Sequence, residues 1–369
     1  MKTRKSSIIA VTASLFFFGS YAQGTSAILK SDLGITKEQS TEKVHNPLEV
    51  VAQFDDIRPG NVAVSQEGRV FATIHPLGDP KEQLVEIIKG RAVPYPSADL
   101  QKNGKPASSK TFDTPLGIVV DKKNKLWMID MGLQLGRTRL YDFDLKKNKI
   151  TTTIEFDQKI APKGSFIQDL AVDESRGWVY LADISNPGII ALDLTTKKAR
   201  RFSGDHALQL EDVDMVINGK VINFGGKPAR VGINPITLSN DRETIFFGAM
   251  NGTKWYQVPA KLFREGADDK TIGKAIVKFG DKPLSDGVAT DQNGSHYITN
   301  LTGFGISKLD ASGSLQDFIS DPKLNWPDNL ALSKDGYLYI SVNQLYTTPA
   351  FTGSSDTGRP PFFIYRIKL

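Results

Sequence analysis

The sequence contains no cysteine among its 369 residues. This absence excludes disulfide bonds, thiolate metal sites and cysteine nucleophiles. A chain of this length does not need disulfides, because it can bury enough apolar surface to fold without them. Other catalytic signatures are also missing: there is no G-x-S-x-G elbow, no H-E-x-x-H, no Walker loop and no G-x-G-x-x-G opening a helix.

Long hydrophobic runs are scarce, and the longest covers only residues 8–19. It follows the basic residues Lys2, Arg4 and Lys5, and it precedes the small-x-small triplet Ser20-Tyr21-Ala22. A run of this length is short for a membrane span, so a signal peptide is favoured over a retained anchor. We therefore predict a signal peptide over residues 1–22, export to the periplasm or beyond the cell, and no stable membrane insertion after cleavage.

Basic and acidic residues nearly balance once the predicted signal peptide is removed. The whole chain has 46 basic and 41 acidic residues, and three of the basic residues lie in residues 1–22. The remaining net charge is close to zero for a chain of this size. Nothing in the charge balance favours a nucleic acid or an anionic membrane as a partner.

One pattern recurs six times along the chain: a short apolar strand, a polar turn and a second strand rich in aromatic and β-branched residues. The six copies begin at Arg58, Thr114, Ser165, Val231, Leu284 and Trp326. A period of about 40–50 residues, each unit built from several strands, is typical of propeller blades. The sequence therefore predicts an all-β, six-bladed β-propeller over residues 47–369 as one domain, preceded by a leader over residues 23–46.

The two ends of this repeat complement each other. Residues 48–54 form an outer strand without a blade, and residues 362–369 form a third strand without a fourth. Pairing them closes the ring and removes an exposed edge that invites aggregation. We therefore predict closure of the last blade by the N-terminal strand, a monomer, and an extra hairpin at the Asn218-Gly219 turn, where the spacing between copies is longest.

Several stretches of these blades resemble a known family. They are residues 165–173, 188–194, 232–263, 285–294 and 326–345, together with the tail 360–369. In these stretches the sequence resembles the Yellow and major royal jelly protein family, as a bacterial-type member. The resemblance implies a propeller related to the gluconolactonase and senescence marker protein propellers. It implies secretion, and it associates the chain with proteins linked to pigment chemistry and to binding small amines.

Polar residues precede the innermost strands of the predicted blades, where six strands converge on one end of the axis. The candidate ligand-binding residues are Gln168, Asp169, Asn234, Asp286, Asp328 and Asn329. Carboxylate and amide oxygens suit a hard cation such as Ca²⁺. Each of these residues taken singly could instead cap a turn by bonding to nearby backbone N–H groups. Their convergence favours a site.

The related lactonases supply a template for a metal site. By that resemblance Asn234 and Asp286 match metal ligands, and Asp286 also matches the candidate general base. Gln168 stands where the template has an asparagine, with Asp169 beside it as a further candidate metal ligand. The early glutamate of the template falls at residues 59–61, where no carboxylate is present. Because affinity at oxygen sites follows ligand charge, we expect Ca²⁺ or another divalent cation to bind weakly.

Three functions remain open from the sequence. The first is a small-molecule binding propeller acting at the mouth of the central channel. The second is a cation-dependent hydrolase or isomerase of the lactonase type, with Asp286 as the catalytic residue. The third is a structural or protein-interaction propeller, which a plugged channel mouth would favour. The four histidines are expected to be structural.

Overall fold

The computed structural model describes residues 48–78 and 80–369. The predicted signal peptide (1–22) and leader (23–46) lie outside the described residues. Within the described part of the chain, no helix is long and apolar enough to cross a membrane.

The described chain forms six four-stranded antiparallel sheets, each built from strands that are neighbours in sequence, with one exception in the last sheet. The first three blades comprise Pro59–Val64 (β2), Val70–Ile74 (β3), Leu84–Ile88 (β4) and Arg91–Pro94 (β5); Pro115–Val120 (β6), Lys125–Asp130 (β7), Arg139–Asp144 (β8) and Lys149–Glu155 (β9); and Ile167–Asp173 (β10), Trp178–Asp183 (β11), Gly188–Asp193 (β12) and Ala199–Ser203 (β13). The last three comprise Ile233–Leu238 (β18), Thr244–Ala249 (β19), Lys254–Pro259 (β20) and Val277–Asp281 (β21); Val288–Thr290 (β22), His296–Asn300 (β23), Gly305–Leu309 (β24) and Leu315–Ser320 (β25); and Pro327–Leu332 (β26), Tyr337–Val342 (β27) and Phe362–Lys368 (β28), with Glu49–Phe54 (β1) as its fourth strand. The predicted six-bladed β-propeller is confirmed.

The fourth strand of each blade is the most exposed. Every residue of β2 and β10 is buried, whereas β9 alternates between exposed and partly buried positions along most of its length. A strand near the axis is covered on both faces and can therefore be apolar throughout, while an outer strand meets solvent. The apolar clusters lie between neighbouring blades; Tyr180, Phe247 and Phe263, for example, pack between blades three and four.

The ring is closed by the strand that comes first in the described chain. β1 pairs antiparallel with β28, and the register places Phe54 opposite Phe362 and Glu49 opposite Arg366. Ala52 and Phe54 pack in the same apolar cluster as Ile364, so the closing strand contributes to the core. The predicted closure is confirmed.

Two small hairpins interrupt the repeat between blades three and four. They are Val216–Ile217 (β14) with Lys220–Val221 (β15), and Asn223–Phe224 (β16) with Lys227–Pro228 (β17). The first turns through Asn218 and Gly219, both with positive φ (50° and 73°), as a tight two-residue hairpin requires. The predicted extra hairpin is thus present.

Helices are short and lie in the connections. The α-helices are Lys261–Arg264 (α1), Asp269–Ala275 (α2) and Pro349–Thr352 (α3), and the 3-10 helices are Pro76–Gly78, Ala98–Leu100, His206–Leu208 and Leu345–Thr347. α3 lies against the extra hairpins, where the backbone N–H of Gly225 donates to the carbonyl of Ala350 at 3.2 Å.

Candidate functional site

The six innermost strands run side by side along the axis and can be aligned at the turn residue that follows each of them. In this alignment two successive layers at the start of the strands are rich in polar residues. The first layer holds Gly60, Leu116, Gln168, Asn234, Asp286 and Asp328. The second layer holds Asn61, Gly117, Asp169, Pro235, Gly287 and Asn329.

A local irregularity turns these side chains toward the axis. Five of the six innermost strands shift register with their partner at this point, as in the shifts between Ile167 and Asp169 and between Pro327 and Asn329. Such bulges bend a strand and re-aim its side chains. In two of these strands a hydroxyl of the second strand binds a backbone N–H at the bulge: Thr73 Oγ1 accepts from Asn61 at 3.0 Å, and Ser341 Oγ accepts from Asn329 at 3.1 Å.

Asp286 is the centre of the first layer. Its Oδ1 accepts from Gln168 Nε2 at 2.5 Å and from Asn234 Nδ2 at 2.7 Å. Its Oδ2 accepts from the indole Nε1 of Trp326 at 2.8 Å. The side chain has no exposure to solvent. Three neutral donors from three other blades therefore hold this carboxylate.

Asp169 is the corresponding centre of the second layer. Its Oδ1 accepts from Asn61 Nδ2 at 3.0 Å and from Asn329 Nδ2 at 3.3 Å. The third carboxylate, Asp328, accepts from Asn343 Nδ2 at 2.6 Å. Every acidic side chain of the cluster is thus held by amides.

Glycines at two positions make this convergence possible. A Cβ on Gly117 would lie 2.3 Å from the backbone oxygen of Gln168, and a Cβ on Gly287 would lie 2.6 Å from that of Asp328. Both distances are far shorter than a nonbonded contact allows. Only glycine lets neighbouring inner strands approach this closely at the level of the cluster.

The electrostatics follow from burial. Burial raises the pKa of Asp286 to about 7, against the opposing effect of its bonds from Trp326, Asn234 and Gln168. Burial and the nearby Asp286 carboxylate raise the pKa values of Asp169 and Asp328 well above the ordinary value. Among the described residues, no lysine, arginine or histidine forms an ion pair with any of the three. The three carboxyl groups therefore either concentrate negative charge in the cluster or bind protons that neutralise this charge.

An apolar cap covers the Asp286 end of the axis. It is formed by the extra hairpins and the loop that contains α3, together with Trp326. Its buried members are Met215, Ile217, Ile222, Met250, Leu284, Leu301, Trp326, Leu345 and Phe351. The expected channel mouth at this end is thus closed by hydrocarbon in this structure.

A cavity of about 210 Å³ enters the axis from the opposite end. It begins at the turns that contain Asp121, Asn240 and Arg242 and extends to Asp169 and Asn329. Its walls are the inner strands, and one layer of the lining is made of small residues: Ala63, Val119, Ala171, Thr237, Ala289 and Ala331. The second polar layer therefore forms the inner end of a narrow channel whose lining side chains are mostly aliphatic and whose exposed surface is more polar than apolar.

All six candidate residues from the sequence lie in this axial cluster. The pairs Gln168–Asp286 and Asn234–Asp286 are in direct contact, as are Asp169 and Asn329. Asp328 accepts a hydrogen bond from Asn343, and its carboxyl is close enough to those of Asp286 and Asp169 for mutual electrostatic repulsion. Ligand binding and catalysis by these residues remain predictions.

Three further members were not predicted as site residues: Asn61, which donates to Asp169, and Trp326 and Asn343. Trp326 stands directly before the Pro-Asp-Asn of blade six, so a buried indole donor next to predicted acidic residues was a usable signal. Asn343 follows the second strand of that blade, and nothing in the repeat marks it as axial. The histidines of the second strands, His75 and His296, are both buried.

The same contacts show which oxygen atoms of the cluster could bind a metal ion. Within the described residues, no group of three histidine, cysteine, aspartate or glutamate side chains is arranged to hold a metal ion. The buried Oδ1 atoms of Asn234 and Asp328 have no hydrogen-bond partner and are available as oxygen donors. A divalent cation would therefore depend on amide oxygens and on single carboxylates, an arrangement that favours weak binding.

The fold and the axial cluster define a class of protein, a six-bladed propeller with buried acidic residues on its axis. Several solved structures are similar to this chain in fold. The luciferin-regenerating enzyme has a TM-score of 0.56 at 12% identity, covering 88% of this chain and 95% of its own. The calcium-binding protein regucalcin from Agrobacterium tumefaciens has a TM-score of 0.53 at 15% identity, with coverage of 88% and 95%. A streptogramin B lyase has a TM-score of 0.51 at 14% identity, with coverage of 88% and 98%.

These similarities concern the fold alone. The family is shown by sequence: residues 114–353 match the major royal jelly protein family, and the chain belongs to it. The resemblance found in the blade sequences is thereby confirmed. No curated protein matches the chain in sequence.

Proposed function

We propose that this member of the family is an exported propeller that binds a small cationic organic molecule in its axial channel. The observation that carries the proposal is the cavity that ends on Asp169. Most of the side chains that line it are aliphatic, so they favour a narrow hydrocarbon body, while the exposed surface of the cavity also includes polar groups. Its inner end carries a buried carboxylate without a basic partner among the described residues, which favours a positive charge on the ligand.

A protonated primary amine meets both requirements. Its ammonium group can approach Asp169, whose Oδ1 is bound only by the amides of Asn61 and Asn329. Burial raises the pKa values of Asp169, Asp286 and Asp328, repulsion from Asp286 adds to this for the other two, and an ammonium group bound beside Asp169 would favour the charged form of its carboxyl. Amine binding also agrees with what the family resemblance implies.

Calorimetric titration with aromatic primary amines tests the proposal, with the corresponding neutral alcohols as ligand controls. We expect amines to bind and alcohols not to bind. Asp169→Asn keeps the shape of the side chain but removes its charge, and should weaken amine binding about ten-fold or more. Asp212→Asn is the matched protein control, because the side chain of Asp212 is 91% exposed. Equal affinity for amine and alcohol would refute the proposal.

Export is tested separately. In a host with a secretory pathway, the mature protein should be recovered outside the cytoplasm with Gln23 as its first residue. Recovery of an unprocessed chain in the cytoplasm would contradict this part of the proposal.

A second candidate is a hydrolase or isomerase of the lactonase type that uses a divalent cation. The unpartnered Oδ1 atoms of Asn234 and Asp328 favour it, because buried oxygens without donors can ligate a cation. If a cation binds, it would be held by Asn234, Asp286 and Asp169 or Asp328. It would supply electrostatic activation of a carbonyl group.

The structure limits this second candidate. Both oxygens of Asp286 already accept hydrogen bonds, and the cap separates the residue from solvent. A melting experiment with millimolar Ca²⁺, Mn²⁺ or Zn²⁺, together with a panel of lactones, tests it. Cation-dependent lactone turnover that disappears in Asp286→Asn would favour the enzyme. The third candidate, a structural or protein-interaction propeller, is favoured by the apolar cap that closes the mouth at the Asp286 end. It stands if neither amines, cations nor lactones have any effect.

A further inference from the structure

A chain of three side chains leads from the wall of the axial cavity into the body of the propeller. Thr237 Oγ1 and Thr290 Oγ1, which belong to neighbouring blades, lie 2.9 Å apart. Thr290 Oγ1 also lies 2.9 Å from Nδ1 of His296, its cross-strand partner. Both threonines line the cavity and are partly exposed, whereas His296 is 1% exposed.

Thr237 carries the single hydroxyl in its layer of the cavity lining, whose other members are four alanines and one valine. A hydroxyl at this level is not needed to fill space, since valine occupies the corresponding position of blade two. Its bond to Thr290 connects it to the histidine. A threonine at this position is therefore better explained by hydrogen bonding than by packing.

The surroundings of His296 keep its ring neutral. The ring lies among Phe246, Phe279 and Trp255, with centroids 4.5, 5.8 and 6.0 Å away. Burial in these aromatic surroundings lowers the pKa of His296 to about 4. The imidazole therefore carries one N–H near neutral pH.

The position of that proton follows from the contacts. Nε2 of His296 is buried and has no hydrogen-bond partner. An orphaned N–H is disfavoured more strongly than an orphaned lone pair, so the proton belongs on Nδ1. Nδ1–H then donates to Thr290 Oγ1, Thr290 donates to Thr237 Oγ1, and the hydrogen of Thr237 is directed to a further acceptor.

We propose that this relay makes Thr237 a hydrogen-bond donor into the channel, and that it selects amines that carry an acceptor oxygen at the far end of their apolar body. This inference rests on the proposed function. Thr237 lies two residues beyond the layer of Asp169 in the strand alignment, which corresponds to ~7 Å along a strand. The ligand would place its ammonium at Asp169 and its ether, carbonyl or hydroxyl oxygen at Thr237.

Two probes of similar shape separate the proposal from simple amine binding. In 4-methoxybenzylamine the amine and the ether oxygen stand at a comparable separation, and 4-ethylbenzylamine replaces that oxygen with carbon. Calorimetric titration of the wild type should show about a five-fold preference for the methoxy compound, the size of one hydrogen bond. Thr237→Val preserves the shape of the side chain and should abolish this preference while leaving the affinity for 4-ethylbenzylamine unchanged.

Matched variants test the relay itself. Thr244→Val, on the next strand of the same blade and outside the cavity lining, should retain the preference. His296→Asn keeps an N–H donor at the place of Nδ1 and should also retain it, whereas His296→Leu should lose it. Because His296→Leu alters a buried site, its folding is checked by its melting temperature, and Thr237→Val gives the result independently.

The outcomes separate the two proposals. If both amines bind with equal affinity and Asp169→Asn weakens both, the proposed function stands and the relay is refuted. A preference that survives in Thr237→Val also refutes the relay. If neither amine binds the wild type, the proposed function fails and the relay with it.

Discussion

The indole N–H of Trp326 donates to Oδ2 of Asp286 at 2.8 Å, from a backbone with φ of 61°. A bulky residue seldom occupies this left-handed region, so the surrounding packing must hold it there. Trp326 stacks on Tyr346 at 6.0 Å and meets Phe351 edge-on at 5.5 Å. One residue thus joins the apolar cap to the axial carboxylates.

Replacing this indole should affect both stability and protonation. Trp326→Phe retains the aromatic packing but removes the donor to Asp286, and we expect a loss of about 1–3 kcal/mol in the free energy of unfolding. The pKa of Asp286 should rise further, because a bond that favours its charged form is lost. Chemical denaturation and titration of the Asp286 carboxyl by NMR measure the two effects. A variant that leaves both quantities unchanged would contradict the observed contact.

The raised pKa of Asp286 predicts how stability depends on pH. Burial raises this pKa from 3.8 to about 7, so the folded state holds the proton where the unfolded chain has lost it. This contribution to stability is complete at low pH and is lost as pH rises through about 7. Between pH 6 and 8 the loss from this group amounts to roughly 1.4 kcal/mol. Denaturation curves across this range should show it.

Asp286→Asn should make that dependence less steep, because the group no longer titrates. The variant should fold, since the apolar inner strands rather than the carboxylate supply the scaffold. Part of the dependence of stability on pH will remain, because the pKa values of Asp169 and Asp328 are also raised. An unchanged slope would show that Asp286 does not titrate in this range.

The close approach of the inner strands is tested by adding one methyl group. In Gly117→Ala the new Cβ meets the backbone oxygen of Gln168 at 2.3 Å, so a strand must move. We expect a loss of about 2–3 kcal/mol in the free energy of unfolding. Gly78→Ala is the control, because its Cβ meets no atom within 4 Å and its φ is not positive. Similar stability of the two variants would contradict the packing described.

Ring closure is tested by removing the closing strand. Deletion of residues 49–54 exposes the edge of β28 and removes Ala52 and Phe54 from the core. We expect loss of soluble protein or aggregation through the exposed edge. The control is Glu49→Gln, which removes only a surface ion pair with Arg366 and should cost less than about 1 kcal/mol. A soluble, monomeric deletion variant with normal melting behaviour would contradict the prediction.

Much of the fold could be predicted because each blade repeats the same local pattern. The buried first strand, the polar turn and the aromatic second strand appear six times, and each copy supports the others. Closure was predictable because the two terminal strands each lacked a partner. The cap was harder to predict. Only its Asn218-Gly219 turn can be recognised in the sequence, and its packing over Asp286 depends on distant residues such as Phe351.

The axial position of the six candidate residues could be predicted but their arrangement could not, and their role in ligand binding stays a prediction. Position before the inner strands identified Asp169, Asn234 and Asp286 correctly as axial. The strand bulges, which decide where these side chains point, leave no mark that separates the Asp286 layer from the Asp169 layer. The side from which the channel is open depends on how the loops pack. Sequence alone could not show that either.

The pairing of Glu49 with Arg366 joins residues 317 positions apart. Contacts of such long range slow folding, because the chain must be largely assembled before they can form. The sixth blade can be completed only when the final strand of the chain has been synthesised. Until then β1, which precedes all the other described strands, has no partner, so its edges stay exposed to aggregation while the strands between it and β28 are synthesised.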